Sequence, residues 1–504
     1  MSASVLPPAP PGRALVRELT DLPLDAAGRV DLDACARALA PVDLLDTATG
    51  DGPSYLVPHG AFRLVDDGRE SSVRADGRPV LRLGTDPFAA IDRLAAALGA
   101  GPHAPPEPDL PACSGGLVGM LAYDLGRRIE RIEGHARDDR GGPALSLRVA
   151  EVVVAIPPAR DRAVLVARPL PPALVAHGAE RRARAHLDRA AARLVAAARR
   201  RLRPPDAVVV PRQPAWTSLP RTAHLAAIDR VLAGIGRGEV FQVNLTQRLS
   251  ARWPGDVHEL YRALRAVSPA PLGAALPDTG VASISPETFL AVDEGLVTTR
   301  PIKGTRPRAG DAGLDAAMAD DLATAVKDRA ENVMVVDLER NDLGRVCVPG
   351  SVRVPELTRV EAHPTVWHLV STVTGRLVPD LGYGGLLAAT FPCGSITGAP
   401  KVAAMQLIDE LEPVRRGPYC GAVGFLAPGR ARLSVAIRTA VLHADGTVDH
   451  GAGGGIVADS DPDQEHAESL DKAAAFLTAV RATEVLASAP ARQRRRRSIA
   501  APHP

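Results

Sequence analysis

Lysine is scarce in this chain: of 60 basic residues, four are lysines and the other 56 are arginines. A guanidinium serves wherever only charge is needed, so the positions that keep lysine are candidates for chemistry that arginine cannot perform. A partly desolvated ammonium can lose its proton and become a nucleophile. We interpret the lysines as functional because all four fall between residues 297 and 475, where most motifs lie. They are Lys303, Lys327, Lys401 and Lys472.

The sequence also lacks the marks of secreted, membrane and strongly basic proteins. Its five cysteines are odd in number, show no CxxC spacing and follow no secretory segment, which predicts reduced thiols in a cytoplasm. No uninterrupted apolar run reaches the roughly 18 residues that a membrane span needs. The net charge of +2 offers no bulk attraction to nucleic acid or to a membrane, so neither is expected as a partner.

The amino-acid composition, with 46% hydrophobic and 23% charged residues, is typical of a globular protein. We predict a flexible leader (1–14), an N-terminal α/β region (15–205), a connector (206–220), a catalytic domain (221–487) and a basic disordered tail (488–504). The four consecutive arginines of the tail are interpreted as a solvated run, and an anion or nucleic-acid site is the alternative.

Local patterns favour an α+β fold over a doubly wound parallel sheet. Residues 151–156 and 163–168 are apolar runs around a Pro-rich loop, which is typical of a β-hairpin. Apolar residues at helical spacing predict a surface helix over 180–203, and the last helix is expected to end near Ala487. Asp445–Gly446 predicts the turn of another antiparallel hairpin. Strands that pair with near neighbours, with helices between them, indicate α+β.

Two predicted helices each present two acidic side chains three residues apart. Asp328 and Glu331 share a face of the first helix, and Glu465 and Glu468 share a face of the second, which Asp461 would cap. Carboxylates on two facing helices repel each other unless a cation lies between them. Mg²⁺ takes one or two protein carboxylates and leaves positions for an anionic substrate. Ordinary salt bridges along a helix surface are the alternative.

Two glycine-rich stretches, Gly451–Gly455 and Gly394–Lys401, are each expected to lead into a helix. Unhindered backbone N–H groups at a helix N-terminus would bind an anion, and a tight turn with a helix cap is the alternative. Neither stretch has the spacing of a nucleotide-phosphate loop, so a carboxylate fits as well.

Four further residues have side chains suited to chemistry or recognition. Arg438, placed on a strand, suits two-point recognition of a carboxylate, with a structural ion pair as the alternative. Glu287 lies in a turn and would donate a proton if burial raised its pKa. His368 has apolar neighbours, which is more often the setting of a core histidine than of a catalyst. Lys303 lies between a strand-like run and a glycine turn.

As a set, these stretches closely resemble the chorismate-utilising enzymes, which include anthranilate, aminodeoxychorismate, isochorismate and salicylate synthases. The matching motifs cover about half of the chain and lie at 238–248, 285–287, 301–305, 327–345, 394–401, 415–421, 437–439 and 453–472. Residues 44–46 and 115–124 resemble the family's N-terminal region. The resemblance implies an α+β fold like that of anthranilate synthase component I: one large composite domain of antiparallel sheets packed in one core, with helices outside.

The resemblance also implies roles for the matching residues. Mg²⁺ would bind Glu331 and Glu468, with Asp328 and Glu465 close by or bridged through water, and would hold the ring carboxylate of chorismate. Glu287 would be the general acid that protonates the departing C4 hydroxyl. The enolpyruvyl carboxylate side would contact Arg438, Tyr419, Lys472 and the backbone of Gly453, Gly454 and Gly455. The pocket would be completed by His368 and Thr397 in the catalytic set and by Gln242 and Thr305 in the substrate-binding set.

Two positions distinguish the branches of the family. Gln242 stands where isochorismate and salicylate synthases have a lysine base for water, so ammonia is the expected nucleophile. Lys303 stands where anthranilate synthases have alanine, which is the aminodeoxychorismate pattern. In that branch the lysine attacks C2 as the C4 hydroxyl leaves, and ammonia then adds at C4 and expels the lysine. His466 departs from the family, which usually has an aromatic residue there.

We therefore expect a synthase subunit that aminates chorismate at C4 to 4-amino-4-deoxychorismate. No Gly-x-Cys-x-Gly elbow is present, so a separate glutamine amidotransferase subunit would supply the ammonia. The alternatives are anthranilate synthase component I and a non-catalytic subunit that binds chorismate or an amino acid and activates the glutaminase. Para-aminobenzoate for folate biosynthesis and specialised metabolites are both open as destinations of the product.

Overall fold

A computed structural model describes residues 13–105, 107–202 and 206–487, so the predicted tail lies outside the described residues, as does most of the leader. The strands of the described residues are β1 (Leu15–Leu19), β2 (Val42–Asp46), β3 (Ser54–Pro58), β4 (Phe62–Asp66), β5 (Ser71–Ala75), β6 (Arg78–Gly84), β7 (Leu117–Leu121), β8 (Leu145–Val149), β9 (Val152–Ile156), β10 (Ala163–Ala167), β11 (Gln213–Thr217), β12 (Gln242–Arg252), β13 (Leu272–Leu276), β14 (Val281–Ser285), β15 (Thr288–Asp293), β16 (Leu296–Arg300), β17 (Ile302–Pro307), β18 (Arg353–Ala362), β19 (Val366–Arg376), β20 (Gly398–Ala399), β21 (Ala422–Ala427), β22 (Arg430–Val435), β23 (Thr439–Leu442), β24 (Thr447–Ile456) and β25 (Ala482–Leu486).

The same described residues also form α-helices. They are α1 (Leu32–Leu39), α2 (Pro87–Ala97), α3 (Ala179–Arg199), α4 (Arg221–Gly236), α5 (Val257–Val267), α6 (Ala312–Thr324), α7 (Val326–Gly344), α8 (Tyr383–Thr390), α9 (Lys401–Leu411), α10 (Pro462–Lys472) and α11 (Ala474–Ala479). Short 3₁₀ turns cover Tyr123–Arg128, Pro277–Thr279 and Gly394–Ile396.

The strands form two large sheets. The first has the order β1-β10-β9-β3-β2-β13-β14-β23-β24-β12-β11-β25, with β20 also paired to β12. The second has the order β17-β19-β16-β15-β22-β21-β7-β8-β4-β5-β6, with β18 also paired to β19. Within the described residues, neighbouring strands run antiparallel except β11 and β25. The predicted α+β fold of antiparallel sheets is confirmed.

Both sheets combine strands from the two halves of the chain. In the first sheet, β2 pairs with β13, so that Leu45 lies opposite Ala274. In the second, β7 pairs with β21, so that Gly119 lies opposite Gly424. The boundary near residues 206–220 stays a prediction, and the strand pairing shows that both segments contribute to each sheet.

Apolar side chains are buried between the sheets and on their outer faces. The layer between them includes Tyr55 of the first sheet and Phe425 of the second, whose rings lie 5.6 Å apart and meet edge to face. Helices α1, α3 and α5 cover the first sheet, and α2 and α8 cover the second. Each large apolar side chain that is fully buried in these layers contributes about 1.5–3 kcal/mol, so both sheets are held by this packing.

Two secondary-structure predictions that rest on local sequence patterns are confirmed. The hairpin of β9 and β10 is confirmed, with Val154 opposite Leu165, and the surface helix over 180–203 is confirmed as α3. The end of the chain's last helix was predicted wrongly. Helix α11 ends at Ala479, and 482–486 forms β25, because the edge strand β11 offers backbone hydrogen bonds that a sequence pattern does not reveal.

The five cysteines, all among the described residues, are buried and free of disulfides. In the described ranges, no helix combines the length and the apolar character that crossing a membrane would require.

Candidate active site

One group of the predicted site residues meets where strands β12, β17 and β24 approach helices α7 and α10: Gln242 and Lys303 reach Gly455, and Glu465, Glu468 and Lys472 reach Gly454. Helix α10 packs against β24, and α7 packs against β17 and β19. Helix α10 begins as predicted: the Asp461 side chain accepts a hydrogen bond from the backbone of Gln464 at 3.0 Å, and Pro462 is the first helical residue. This capped start fixes the direction in which the acidic face of α10 points.

The acids of α10 are paired with lysines. Glu465 is buried, accepts a hydrogen bond from the Ser460 hydroxyl at 2.6 Å, and lies 3.6 Å from Nζ of Lys327 on α7. Glu468 lies 2.6 Å from Nζ of Lys472, one turn later on the same helix. Burial alone would raise the pKa of Glu468, but the nearby lysines outweigh burial and the pKa is lowered. The ammonium group of Lys327 therefore links α7 to α10, whereas Lys472 pairs within α10.

The acids of α7 behave differently from each other. Asp328 forms an ion pair with Arg306, with Nη2 and Oδ2 3.1 Å apart. Burial raises the pKa of Glu331, and the negative charges of Asp328 and Glu465 add to that rise. A positive charge beside Glu331 would therefore be stabilising, and Lys303 and Lys327 already act in that direction.

The donor set suits a hard divalent cation. A Cβ placed on Gly454 would lie 3.1 Å from Oε2 of Glu465 and 3.8 Å from Oε1 of Glu468, so both carboxylates reach the same point of β24. In the described part of the chain, no three His, Cys, Asp or Glu side chains are grouped closely enough to hold a metal by themselves. Mg²⁺ is commonly held by one or two carboxylates together with water and substrate, so these residues fit it.

Lys303 lies on β17 with its amine directed toward β24. Its Nζ is 3.4 Å from the carbonyl oxygen of Ser395 and would lie 3.5 Å from a Cβ on Gly455. Burial lowers the pKa of the Lys303 amine, nearby Glu331 and Glu287 oppose the shift, and Lys472 adds to it. A lowered pKa increases the neutral, nucleophilic fraction of the amine.

Glu287 is a buried carboxyl in the turn between β14 and β15, as predicted. Burial raises its pKa to about 7, against the effects of Ser395 and Lys303. None of the described residues donates a hydrogen bond to its Oε1 atom. A buried carboxyl that is protonated near neutral pH and has an oxygen without a partner is suited to donate a proton to a substrate.

Gln242, at the start of β12, also has a buried atom, its side-chain nitrogen Nε2, without a hydrogen-bond partner among the described residues. A Cβ on Gly455 would lie 2.1 Å from that nitrogen, so only glycine allows the Gln242 amide to lie beside Lys303. The two unpartnered polar atoms, on Gln242 and Glu287, thus flank the Lys303 amine and mark where a polar ligand would bind.

The prediction that Gly451–Gly455 leads directly into a helix was wrong. These glycines lie inside β24 and pair with β12, so that Gly454 is opposite Leu245, and α10 begins only at Pro462. Close packing explains the glycines, because a Cβ on Gly451 would lie 2.1 Å from the Tyr419 ring. The other glycine stretch does lead into a helix, α9, through a 3₁₀ turn.

Arg438 does not lie on a strand, contrary to the prediction. It is found between β22 and β23, with φ of +49°, where the chain passes from the second sheet to the first. Burial lowers the pKa of its guanidinium, and no charged group of the described residues offsets that effect. A half-buried arginine without a carboxylate partner remains available to an anionic ligand.

The remaining predicted residues are placed as follows. Tyr419 is buried against Gly451, and the Thr397 hydroxyl donates to the carbonyls of Cys393 and Gly394 at 3.1 and 3.2 Å. His368, on β19, lies 3.0 Å from the Thr305 hydroxyl. Burial lowers the pKa of His368 to about 3, so its imidazole is neutral.

Sequence reasoning missed two residues that shape this site. The Ser395 carbonyl accepts a hydrogen bond from Lys303, and the Ser395 side chain opposes the rise in the pKa of Glu287. Arg416 is buried and donates to the carbonyls of Ile396 and Asn244 at 2.9 and 2.6 Å, which ties the 394–401 loop to β12. The hydroxyls of the loop were a usable signal for Ser395, whereas Arg416 is recognisable only once the fold is known.

Comparisons with known proteins identify the family of the chain. Residues 62–478 match the family described as chorismate binding enzyme. Aminodeoxychorismate synthase component 1 of Salmonella typhimurium is 41% identical over 73% of this chain and 77% of its own length. Anthranilate synthase component 1 of Mycobacterium bovis is 40% identical over 76% of each chain. The crystal structure of anthranilate synthase component I from Streptococcus pneumoniae TIGR4 superposes with a TM-score of 0.72 at 29% identity, covering 85% of this chain and 92% of that one.

Proposed function

The chain belongs to the family of chorismate binding enzymes, and from this premise we propose that it is the synthase subunit of an aminodeoxychorismate synthase. The observation that carries the proposal is the Lys303 amine, which lies near the buried acid Glu287 and beside the Gln242 Nε2, an atom without a hydrogen-bond partner among the described residues. The reaction would replace the C4 hydroxyl of chorismate with an amino group and retain the enolpyruvyl group.

Lys303 and Glu287 account for both steps, the loss of the C4 hydroxyl and the addition of ammonia. The neutral Lys303 amine forms a bond to C2, the two ring double bonds shift, and the C4–O bond breaks. Glu287 supplies the proton with which the hydroxyl leaves as water. Ammonia then forms a bond to C4, the double bonds shift back, and the C2–N bond to Lys303 breaks. The proton released by the added ammonia returns to Glu287, so ammonia enters and water leaves.

Substrate binding is assigned to the charges around this pair. Arg438, which has no carboxylate partner among the described residues, would bind the enolpyruvyl carboxylate from the turn between β22 and β23. Lys472 and the backbone of β24 border the same space. The neutral His368, fixed by Thr305, would line the pocket without adding charge.

Mg²⁺ would be held by Glu331 and Glu468, with Glu465 close by, and Asp328 would act from its ion pair with Arg306. When bound, the ion would neutralise the ring carboxylate of the substrate. Once Mg²⁺ is bound, the ammonium groups of Lys327 and Lys472 would be displaced from the carboxylates of α10 or would turn toward the substrate.

The ammonia would come from a partner. The relatives named component 1 imply a second component, and we propose that it is a glutamine amidotransferase. The sequence contains no Gly-x-Cys-x-Gly elbow, and the five cysteines are buried.

Anthranilate synthase component I is the second candidate, because relatives of that name are 40% identical. The two functions differ at Lys303. An anthranilate synthase releases pyruvate and forms an aromatic product, for which a lysine that attacks C2 has no use.

The test is a product assay on the purified chain. We would incubate it with chorismate, Mg²⁺ and ammonium at mildly alkaline pH and identify the products by liquid chromatography with mass detection. A product with the mass of amino-deoxychorismate that retains the enolpyruvyl group would support the proposal. Anthranilate with pyruvate would assign the chain to the second candidate, and no turnover of chorismate would contradict both.

The variant Lys303→Ala separates a catalytic from a purely regulatory subunit. A synthase should lose rate or begin to form anthranilate, whereas a subunit that only activates a glutaminase should be unaffected. Lys401→Ala is not a suitable control because its amine pairs with buried Asp342. Asp463→Asn, on the exposed side of α10, is the matched control.

A further inference from the structure

Helix α10 carries acids proposed to bind Mg²⁺, yet little apolar packing holds it in place. All residues of α10 are described, and the buried ones are Glu465 and Ser469, both polar. Leu470 is only partly buried against the apolar core. A surface helix is usually held by a buried apolar stripe. On α10, hydrogen bonds to neighbouring elements therefore have to set the direction in which the acids point.

One such hydrogen bond joins α10 to α4, which packs beside it. Nδ1 of His466 lies 2.8 Å from Nδ1 of His224 on α4, and the two rings meet edge to face with their centroids 5.1 Å apart. His224 is buried, whereas His466 is partly exposed. The contact requires that one ring nitrogen carries a hydrogen and that the other presents its lone pair. The proposed reaction uses neither histidine.

Ser469, one turn after His466, continues this contact toward the first sheet. Its hydroxyl accepts a hydrogen bond from Nε2 of Gln247 on β12 at 2.7 Å and donates to the carbonyl oxygen of His466 at 2.8 Å. Oε1 of Gln247 accepts in turn from the Thr217 hydroxyl of β11 at 2.6 Å. His466 is therefore held through its ring by α4 and through its carbonyl by a side chain that is fixed to the sheet.

The acids of α10 point away from this contact. At 100° per residue, Glu465 and Glu468 lie about 100° and 160° around the helix axis from His466. Both carboxylates come close to the position that a Cβ on Gly454 of β24 would take. A rotation of α10 about its axis would move both acids away from this point together, so the contact that prevents rotation also sets the position of the acids.

We propose that His224 and His466 are positioning residues, and that their hydrogen bond fixes the rotation of α10 so that Glu468, with Glu465 beside it, points to where Mg²⁺ binds. This inference rests on the proposed function, because it concerns the metal site of that reaction. Burial lowers the pKa of both imidazoles, to about 4 for His224, so both are neutral near pH 7. The pair therefore positions the acids without placing a positive charge beside them.

Two substitutions at His466 separate the hydrogen bond from the packing of the rings. His466→Phe keeps a ring and leaves the buried Nδ1 of His224 without its partner. The affinity for Mg²⁺ should then fall about tenfold, the lower end of what the loss of a contact that orients a metal ligand costs. His466→Asn removes the ring and keeps a polar group near the Nδ1 position, so affinity should stay within about twofold of the unaltered chain.

Substitution of the other partner tests whether the two histidines act together. His224→Phe removes the same hydrogen bond and should lower the affinity for Mg²⁺ by the same factor. The double variant with His466→Phe should lose no more than either single variant, because both substitutions remove one shared contact. The control is Asp463→Asn, which breaks the exposed ion pair with Arg221 between the same two helices and should leave the affinity unchanged.

The primary measurement is calorimetric titration of the full chain with Mg²⁺ alone, which needs no turnover. The second is the Mg²⁺ concentration for half-maximal product formation, which should rise by the same factor while kcat at saturating Mg²⁺ changes less. Thermal unfolding of every variant is recorded beside these values. A lower unfolding temperature with unchanged affinity would give the pair a purely structural role and contradict the proposal.

Three further results would overturn the proposal: unchanged affinity in His466→Phe, an equal loss in His466→Asn, or no binding of Mg²⁺ by the unaltered chain. If His466→Phe does not fold, His224→Phe decides, because it removes the same hydrogen bond. Failure of the product assay with the affinity differences intact would reject the proposed function and leave the positioning of α10 in place.

Discussion

Positive charge is used differently in two regions of this molecule. In the arginine network, defined by Arg140, Arg248 and His443 around Asp449, Arg140 makes two parallel contacts to the Asp449 carboxylate at 2.6 and 2.8 Å. In the lysine site, defined by Lys303, Lys327 and Lys472, the latter two lysines each make a single contact to an acid of α10. The planar guanidinium fixes geometry, whereas an ammonium on a flexible stem can change partner.

The pKa values of the ionisable side chains differ between the two regions. Burial opposes ionisation of Asp449, but His443 and two arginines outweigh it, and its pKa lies well below the usual range. Around Lys303 the opposite holds: burial raises the pKa of Glu287 to about 7 and lowers the pKa of the Lys303 amine. A buried carboxyl whose pKa lies near neutral pH can donate a proton to a substrate, whereas a carboxylate held in strong ion pairs stays ionised.

Arginine in place of Lys303 should reduce activity more than any other substitution considered in the two regions. Lys303→Arg puts a permanently charged guanidinium where the reaction needs a neutral amine, so the rate of C4 amination should fall on the order of 10²- to 10⁴-fold. Product formation followed by mass detection measures this rate, with Lys472→Arg as a comparison in which only charge is required. Activity of Lys303→Arg within about tenfold of the unaltered chain would contradict the distinction between the two regions.

Removing a buried structural arginine should act on stability. Arg416 binds both carboxylate oxygens of Glu412, at 2.9 and 2.7 Å, and both side chains are almost fully enclosed. Arg416→Met leaves the Glu412 charge buried and unpaired, which costs about 3–5 kcal/mol. Urea unfolding measures the loss, and the double variant with Glu412→Gln should recover part of it. A loss below about 1 kcal/mol would show that Arg416 is not structural.

Glu468 of α10 is expected to bind Mg²⁺ within the lysine site. Glu468→Gln should raise the Mg²⁺ concentration needed for half-maximal activity by about 10- to 100-fold, because a charged ligand becomes neutral. Calorimetric titration with Mg²⁺ should show the same loss of affinity. Asp463→Asn on the same helix keeps the site intact and should leave both values unchanged. Equal Mg²⁺ dependence in the two variants would exclude Glu468 as a ligand.

The smallest effect is expected at an exposed arginine. Arg230 pairs with Glu410 on the surface, with both side chains about half exposed. Arg230→Lys should change the free energy of unfolding by less than about 0.5 kcal/mol and leave activity unchanged. Thermal unfolding and the product assay check both values, and a clear loss would show that arginine is required even where only charge appears necessary.

The sequence predicted those parts of the site that depend on local spacing. The acidic faces of α7 and α10, the Asp461 cap and the turn that holds Glu287 all follow from residues within a few positions of each other. The α+β fold was also predictable, and the roles assigned to the individual residues stay predictions.

Features that depend on contacts between residues far apart in the sequence were not predictable. Arg438 lies in a crossing between two sheets, which no local pattern reveals, and β25 is a strand only because β11 provides an edge. The glycines of β24 were assigned to a helix start because glycine clusters occur in both settings. His224 and His466 are 242 residues apart in the chain, so only the fold shows that they touch.

The mixing of strands from both chain halves has a consequence for the nascent protein. Strand β7 finds one partner, β8, soon after both are made, but its other neighbour, β21, follows roughly three hundred residues later. At about 5–20 residues per second, the ribosome leaves this buried, apolar edge without its partner for tens of seconds. Successful synthesis of the enzyme therefore depends on protecting that edge from other chains until the C-terminal strands emerge.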